Sequence, residues 1–340
     1  MKKNLLIILS GAAGAVLVVL LFYFFNVVKI FSTVREVGLL GAGAFIGNAF
    51  LILLIGSISW QIILKSYGHS IPFKDVLIAK LIGSSISYLT PSMYIGGEPV
   101  KIYILVKKFR LSMTKIGASV VVDKFLELGA SLFYIFLGSI WTLIDYNLPW
   151  QVYWALVGIN ILFGIGMGLL LFSFLFQNRY FSHLVNLIGR IKPLSKAMSK
   201  IEPIIAKVEG EVFSAFRQQK RNTLFAFFLD LLTGGLIFAK PSIFFYFLHT
   251  VFSLSQLALL YALTHIILAL QFTPGALGIF ELGEVGIYQL VGVGSQQALA
   301  YSLIVRITDL IGVAAAAGLG IHFGVKYFWG KKRNEDLHGF

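Results

Sequence analysis

The chain has 340 residues, 58% of them hydrophobic and 13% charged, and a mean hydropathy of +0.86. A soluble domain of that size and balance would leave large apolar patches in water, so the composition is that of an integral membrane protein. The formal net charge of +13 does not point to nucleic acid, because the basic residues gather in short connections beside apolar stretches, where they meet anionic head groups and set orientation.

Lys2-Lys3 followed by the apolar run 5–28 is too long for a signal peptide and has no persuasive small-x-small cleavage site, so it is expected to stay as a first helix. Further full spans of roughly 20 apolar residues or more are predicted at 38–64, 116–144, 150–176, 223–248 and 300–327. Two apolar segments, 76–106 and 256–292, break in the middle. Each carries Thr-Pro followed by glycine and glutamate: Thr90-Pro91 with Gly96, Gly97 and Glu98, and Thr273-Pro274 with Gly278 and Glu281. Both glutamates stand eight residues after the threonine. Pro and Gly interrupt a membrane helix, so each segment is expected to be a re-entrant hairpin whose turn is held inside the protein.

Between the halves, 177–222 alternates apolar residues at helical spacing with lysine and arginine, and is expected to lie as amphipathic helix on the cytoplasmic membrane surface with bends at Pro193 and Pro203. The basic residues test the topology. With the amino terminus in the cytoplasm, Lys2, Lys3, Lys65, Lys74, Lys107, Lys108, Arg110, Lys115, the basic residues of 177–222 and Lys326, Lys331, Lys332 and Arg333 fall inside, against Lys29 and Arg35 outside. Basic segments flank the first hairpin, whereas none flanks the second, so the two are predicted to enter from opposite sides. The expectation is an all-α membrane protein, a polytopic helical bundle of about six spans plus two hairpins in two inverted repeats. Its parts are a first half over 1–176, a connector over 177–222 and an inverted second half over 223–340. Both termini are expected in the cytoplasm and the chain in the plasma or inner membrane.

After each glutamate comes a basic-x-x-acidic pair: Lys124 and Glu127, the lysine 26 residues after Glu98, and Arg306 and Asp309, the arginine 25 after Glu281. Charge inside a membrane is expensive, and its duplication in matched order marks a candidate translocation site. Glu98 and Glu281 either engage cargo or cap the amides of the re-entrant arm. Lys124 and Arg306 either anchor phosphate or neutralise the acid on their own helix, with Asp123 beside the first pair. Glu284 shares a face with Glu281 and extends the polar track or lines water. Lys80 and Lys101 flank the first hairpin and read as snorkelling; Asp230 and Lys240 have no partner in sequence, Lys240-Pro241 marking a kink or outer end.

Zero cysteines exclude disulfides, thiolate metal sites and cysteine nucleophiles, and the six histidines have no metal-ligand spacing. Neither metal nor cofactor is expected. No Walker loop, Ser-His-Asp arrangement, HExxH or dinucleotide fingerprint is present, so the expectation is a transporter and not an enzyme.

The run Thr273-Pro274-Gly275-Ala276-Leu277-Gly278-Ile279-Phe280-Glu281, with Gly292 and Arg306 after it, resembles the signature of the lysylphosphatidylglycerol synthase transmembrane-region family, the flippase-like domain proteins. Thr90-Pro91, Gly96-Gly97-Glu98-Pro99 and Lys101 resemble its first-half motif, and the similarity spans nearly the whole chain. The resemblance implies movement of lipid between leaflets. The chain ends thirteen residues after Tyr327, leaving no synthase domain, so translocation without synthesis is expected. The partners would be a membrane lipid as substrate and anionic head groups at the cytoplasmic face; self-association stays open. Two other activities fit the same residues: ion-coupled transport of a small anionic solute, separable by dependence on pH and sodium, and an enzyme or scaffold acting on polyprenyl-linked lipids, separable by product formation without a second leaflet.

Overall fold

The computed structural model describes residues 27–90, 96–145, 149–176, 180–190, 195–269 and 273–324. The predicted first span, Pro91, Pro193 and the basic tail at 331–333 lie outside them. Among the described residues the chain is helical, without strands. The first half comprises α1 (Val27–Ser66), α2 (Phe73–Leu89), α3 (Glu98–Phe109), α4 (Met113–Asp145) and α5 (Trp150–Phe176). The connector is α6 (Tyr180–Ile188) and α7 (Ser195–Gln218). The second half comprises α8 (Lys220–Phe238), α9 (Lys240–Tyr246), α10 (Leu254–Ala269), a 3-10 turn (Pro274–Ala276), α11 (Ile279–Leu290) and α12 (Ser295–Gly324).

Several boundaries follow from single residues. Gly38 takes a φ of +67° inside α1, which sets off a short arm where the span was expected to begin. The span expected over 223–248 is divided, because Pro241 sits in the first turn of α9, where its missing amide is harmless. Pro203 lies within α7. Beyond the end of α1, the Tyr67 hydroxyl donates to Glu211 of α7 at 3.2 Å, which ties the connector to the first half. Burial and that carboxylate push the Tyr67 hydroxyl pKa upward.

Three described helical stretches, Val28–Ser66, Lys220–Tyr246 and Ser295–Gly320, are long and apolar enough to cross a membrane. The 33-residue α4 has the length, but Asp123, Lys124 and Glu127 interrupt its apolar run. The partition of side chains is that of a protein in lipid. Phe225 and Phe228 of α8, Leu137 and Trp141 of α4 and Leu310 of α12 face outward, while Lys80, Lys101, Asp123, Asp230, Glu281 and Arg306 are buried.

The helices α2 and α3 form an antiparallel hairpin, with Asp75 paired to Lys108 at its open end and Gly83 against Gly97 near its tip. The helices α10 and α11 form a second, with Thr264 bonded to Glu284 and Ile267 against Gly283. Each hairpin also packs on the long helix of the other half: α2 lies against α12, and α10 against α4. The larger apolar core, built mostly of second-half residues with Phe45, Ile135 and Leu156 of the first half, stacks Phe245 on Tyr288 at 5.1 Å and tilts Tyr301 against Tyr288 at 5.2 Å. A smaller core around Trp60, Val76, Leu105 and Ile116 holds the first hairpin to α1 and α4.

The first hairpin depends on backbone meeting backbone. A Cβ on Gly97 would lie 1.8 Å from the Gly83 carbonyl oxygen, which cannot rotate away. Gly97→Ala is therefore expected to lower stability by about 1–3 kcal/mol, the range for overpacking. Gly286→Ala in α11, where an added Cβ meets nothing within 4 Å, is the matched control. Thermal unfolding in detergent compares the two, and equal midpoints would remove the close approach as a constraint.

Candidate functional site

The second hairpin turns through Thr273-Pro274-Gly275-Ala276, a segment that helical geometry cannot supply. Gly275 and Ala276 have φ of +60° and +52°, and Gly278 has +79°. Ala276 holds this left-handed conformation while fully buried, so the surroundings must fix it. Thr273 Oγ1 donates to the Leu277 carbonyl at 2.9 Å and closes the turn. At the start of α11 the Gly278 amide donates to Glu281 Oε2 at 2.8 Å, an amide cap made by the motif's glutamate.

Arg306 of α12 supplies the rest. Its Nε donates to Glu281 Oε1 at 2.7 Å, Nη1 to the Tyr88 hydroxyl at 2.9 Å and to the Gly275 carbonyl, and Nη2 to the Ala276 carbonyl at 3.2 Å. Tyr88 is the last residue but one of α2, in the first hairpin, so this guanidinium touches both hairpins. Tyr88 lies also against Gly275, where a Cβ would meet its ring at 3.0 Å. Four of the five N–H donors of the fork are engaged, leaving one. Glu284, one turn after Glu281, is fully buried; its Oε1 accepts from Thr264 at 2.8 Å and its Oε2 has no partner.

The first hairpin carries a different arrangement. The Gly97 amide donates to Ser87 Oγ at 2.8 Å, where the second hairpin uses its glutamate. Thr90, at the end of α2, donates back to the Ile86 carbonyl at 2.8 Å. Gly96 and Gly97 then lead into α3, whose Glu98 pairs with Lys101 at 2.8 Å. Lys101 also lies 3.9 Å from Asp123 of α4 and sits over the Trp60 ring at 5.7 Å. Lys80 of α2 pairs with Asp123 at 3.3 Å and donates to the Gly56 carbonyl of α1 at 2.8 Å. Asp230 of α8 accepts from Ser59 at 3.0 Å beside this group.

Several expectations change. Lys80 and Lys101 do not snorkel; they are 8% and 2% exposed and ion-paired inside the bundle. Arg306 is not neutralised by Asp309 on its own helix but by Glu281 across the hairpin. Lys124 and Glu127 do pair along their own helix, at 3.3 Å. Asp123, not Lys124, stands 25 residues after Glu98, as Arg306 stands after Glu281. Lys101 likewise holds the place of Glu284, three after the glutamate. Corresponding positions thus carry opposite charge in the two halves. Lys240 stands over the Phe45 ring at 5.0 Å. Tyr88, Thr264, Ser87 and Ser59 were not foreseen; each is a small or amphipathic polar residue in an apolar run, and its partner lies across a hairpin for Ser87 and Thr264 and in the other half for Tyr88 and Ser59. Among the described residues no group of three or more His, Cys, Asp or Glu is placed to hold a metal ion.

The family profile described as "Lysylphosphatidylglycerol synthase TM region" matches residues 7–317. The chain is 24% identical over 267 residues to UPF0104 membrane protein PH1989 of Pyrococcus horikoshii, covering 75% of this chain and 78% of that one. It is 24% identical over 280 residues to a UPF0104 membrane protein of Methanothermobacter thermautotrophicus, covering 80% and 83%. A UPF0104 membrane protein of Methanocaldococcus jannaschii, MJ1595, shares 34% identity over 84 residues, 25% of each chain. No solved structure matches.

Proposed function

The chain belongs to the lysylphosphatidylglycerol synthase TM region family, and from that membership and the meeting of the hairpins at Arg306 we propose that it moves a phospholipid or lipid-linked head group between leaflets. The observation that carries this is the Arg306 fork, bonded at once to Tyr88 of the first hairpin and to Glu281 and the turn of the second. A group placed there senses the separation of the two hairpins. A guanidinium with one unused donor is also suited to a phosphate, which offers planar pairs of oxygens and competes with Glu281 for the fork. Lys124, half-buried beside Glu127, gives a second cation for the same head group.

In this proposal the halves are inverted repeats in the cell membrane, the hairpins enter from opposite sides, and both termini face the cytoplasm. The exchanged packing, α2 on α12 and α10 on α4, is what a two-fold axis in the membrane plane would produce. The excess of basic residues in the connector supports its cytoplasmic placement. The lipid tails stay in the bilayer while the head group crosses between the hairpin tips.

Glu281→Gln tests the proposal; it leaves the Arg306 charge buried without its carboxylate, so folding is measured beside transport. The amide oxygen still accepts from Gly278 or Arg306, but the charge that competes with phosphate is gone. Translocation of head-group-labelled phospholipid in liposomes, followed by quenching from outside, is expected to fall at least about tenfold, the effect of losing one charge-assisted bond. A monodisperse Glu281→Gln protein that translocates at the wild-type rate would refute the assignment.

A further inference from the structure

Glu284 has an environment unlike that of Glu281, Glu98 and Asp123, and shares with Asp230 of α8, which accepts only from the Ser59 hydroxyl, the lack of an ion pair. Glu281 has a guanidinium and an amide, Glu98 has Lys101, and Asp123 has Lys80 and Lys101. Glu284 is fully buried, takes one hydrogen bond from the neutral Thr264 hydroxyl on Oε1, and has nothing on Oε2. The charged groups within electrostatic reach are Lys240 of α9, Glu281 of its own helix and Arg306 of α12, with the hydroxyls of Tyr288 and Tyr301 on α11 and α12. None makes an ion pair with it. Lys240 stands over the Phe45 ring, and Arg306 is engaged by Glu281, Tyr88 and two carbonyls.

A carboxylate buried beside another carboxylate with only a hydroxyl donor is strongly disfavoured, and a proton removes the conflict by converting it to a neutral acid. We infer that Glu284 is a proton-binding site: the bound proton sits on Oε2, Thr264 donates to Oε1, and translocation carries that proton across. The step is a simple protonation, one proton joining one carboxylate to give one carboxylic acid. Opening the hairpins to the aqueous phase on either side would hydrate Oε2 and release the proton there. The coupling rests on the lipid-translocation proposal, whereas the proton site does not.

Two measurements separate the parts. Infrared spectroscopy of the purified protein at neutral pH is expected to show carbonyl absorption of protonated carboxyl groups, a component of which disappears in Glu284→Gln and persists in Glu281→Gln and in Asp230→Asn. Thr264→Val, which removes the single donor, is expected to move that component to higher frequency, and it serves if Glu284→Gln does not fold. No such absorption in the wild type, or absorption indifferent to Glu284 and Thr264, overturns the site. In liposomes, a pH gradient of one unit is expected to shift the steady-state distribution of labelled lipid between leaflets by up to about tenfold for one proton per lipid, and Glu284→Gln is expected to lose that response. A wild-type distribution indifferent to the gradient, or an undiminished response in Glu284→Gln, overturns the coupling. Wild-type protein that moves no lipid under any condition overturns the translocation proposal and the coupling with it, and the infrared band still decides the proton site.

Discussion

Arg306→Ala is expected to lower stability by about 3–5 kcal/mol, the effect of removing one member of a buried ion pair, and to abolish translocation. The loss exceeds that of a single contact because of what is left behind. Glu281 keeps its charge inside the bundle with only the Gly278 amide on it, and the Gly275 and Ala276 carbonyls lose their donors in a turn that already holds left-handed backbone. Tyr88 loses its link to the second half. Arg306→Lys separates charge from geometry. An ammonium carries three donors at one point and cannot serve a carboxylate, a hydroxyl and two carbonyls spread around a planar fork. It is expected to retain part of the stability and little of the transport. Combining Arg306→Ala with Glu281→Gln removes the stranded charge, so the double variant should be more stable than the sum of the two singles by about 0.5–3 kcal/mol. Unfolding by SDS or steric trapping supplies these values. If Arg306→Ala unfolds within about 0.5 kcal/mol of the wild type, as an ordinary surface change does, the latch between the hairpins is not formed.

Much of this site could be read from residues alone, and the parts that could not share a cause. Pro, Gly and a glutamate in an apolar run force a break and a compensated charge wherever they occur, so both hairpins and Glu98, Glu281 and Arg306 follow from local chemistry. The partner of Arg306 did not. Tyr88 is 218 residues away, and a tyrosine near the end of an apolar segment looks the same whether it meets head groups or a guanidinium. Lys80 was misjudged for a similar reason: a lysine two turns into α2 reaches solvent if the helix is exposed, and reaches Asp123 and the Gly56 carbonyl if α1 and α4 cover it. Matching the halves by sign of charge leads to Lys124 as the equivalent of Arg306, but matching by register leads to Asp123. A helix turns about 100° per residue, so a slip of one position moves a side chain to another face. Asp123 faces the hairpin lysines, while Lys124 turns to Glu127.

Asp123 carries the second large effect. It is fully buried, and both of its oxygens accept from Lys80 at 3.3 Å. Asp123→Ala is expected to destabilise by about 3–5 kcal/mol, because the Lys80 charge then has only the Gly56 carbonyl and the more distant Asp230 and Glu127 to offset it. Lys101 suffers less, since Glu98 remains at 2.8 Å. The single variant cannot distinguish an ion pair kept for the fold from one kept for cargo, but the pair removed together can. Replacing a whole buried ion pair by apolar side chains of similar volume is often neutral or stabilising by about 1–4 kcal/mol, so Lys80→Met with Asp123→Leu should recover the lost stability. Translocation by that double variant is then the deciding measurement. If these charges act on the head group, a stable protein that moves no lipid results, and full transport by the apolar pair would assign Lys80 and Asp123 to folding alone. The contrast with Arg306 lies in what each cation holds: the Arg306 fork binds Glu281, Tyr88 and two carbonyls of a turn in left-handed backbone, whereas Lys80 makes one contact with the Gly56 carbonyl and its charge can be deleted together with that of Asp123.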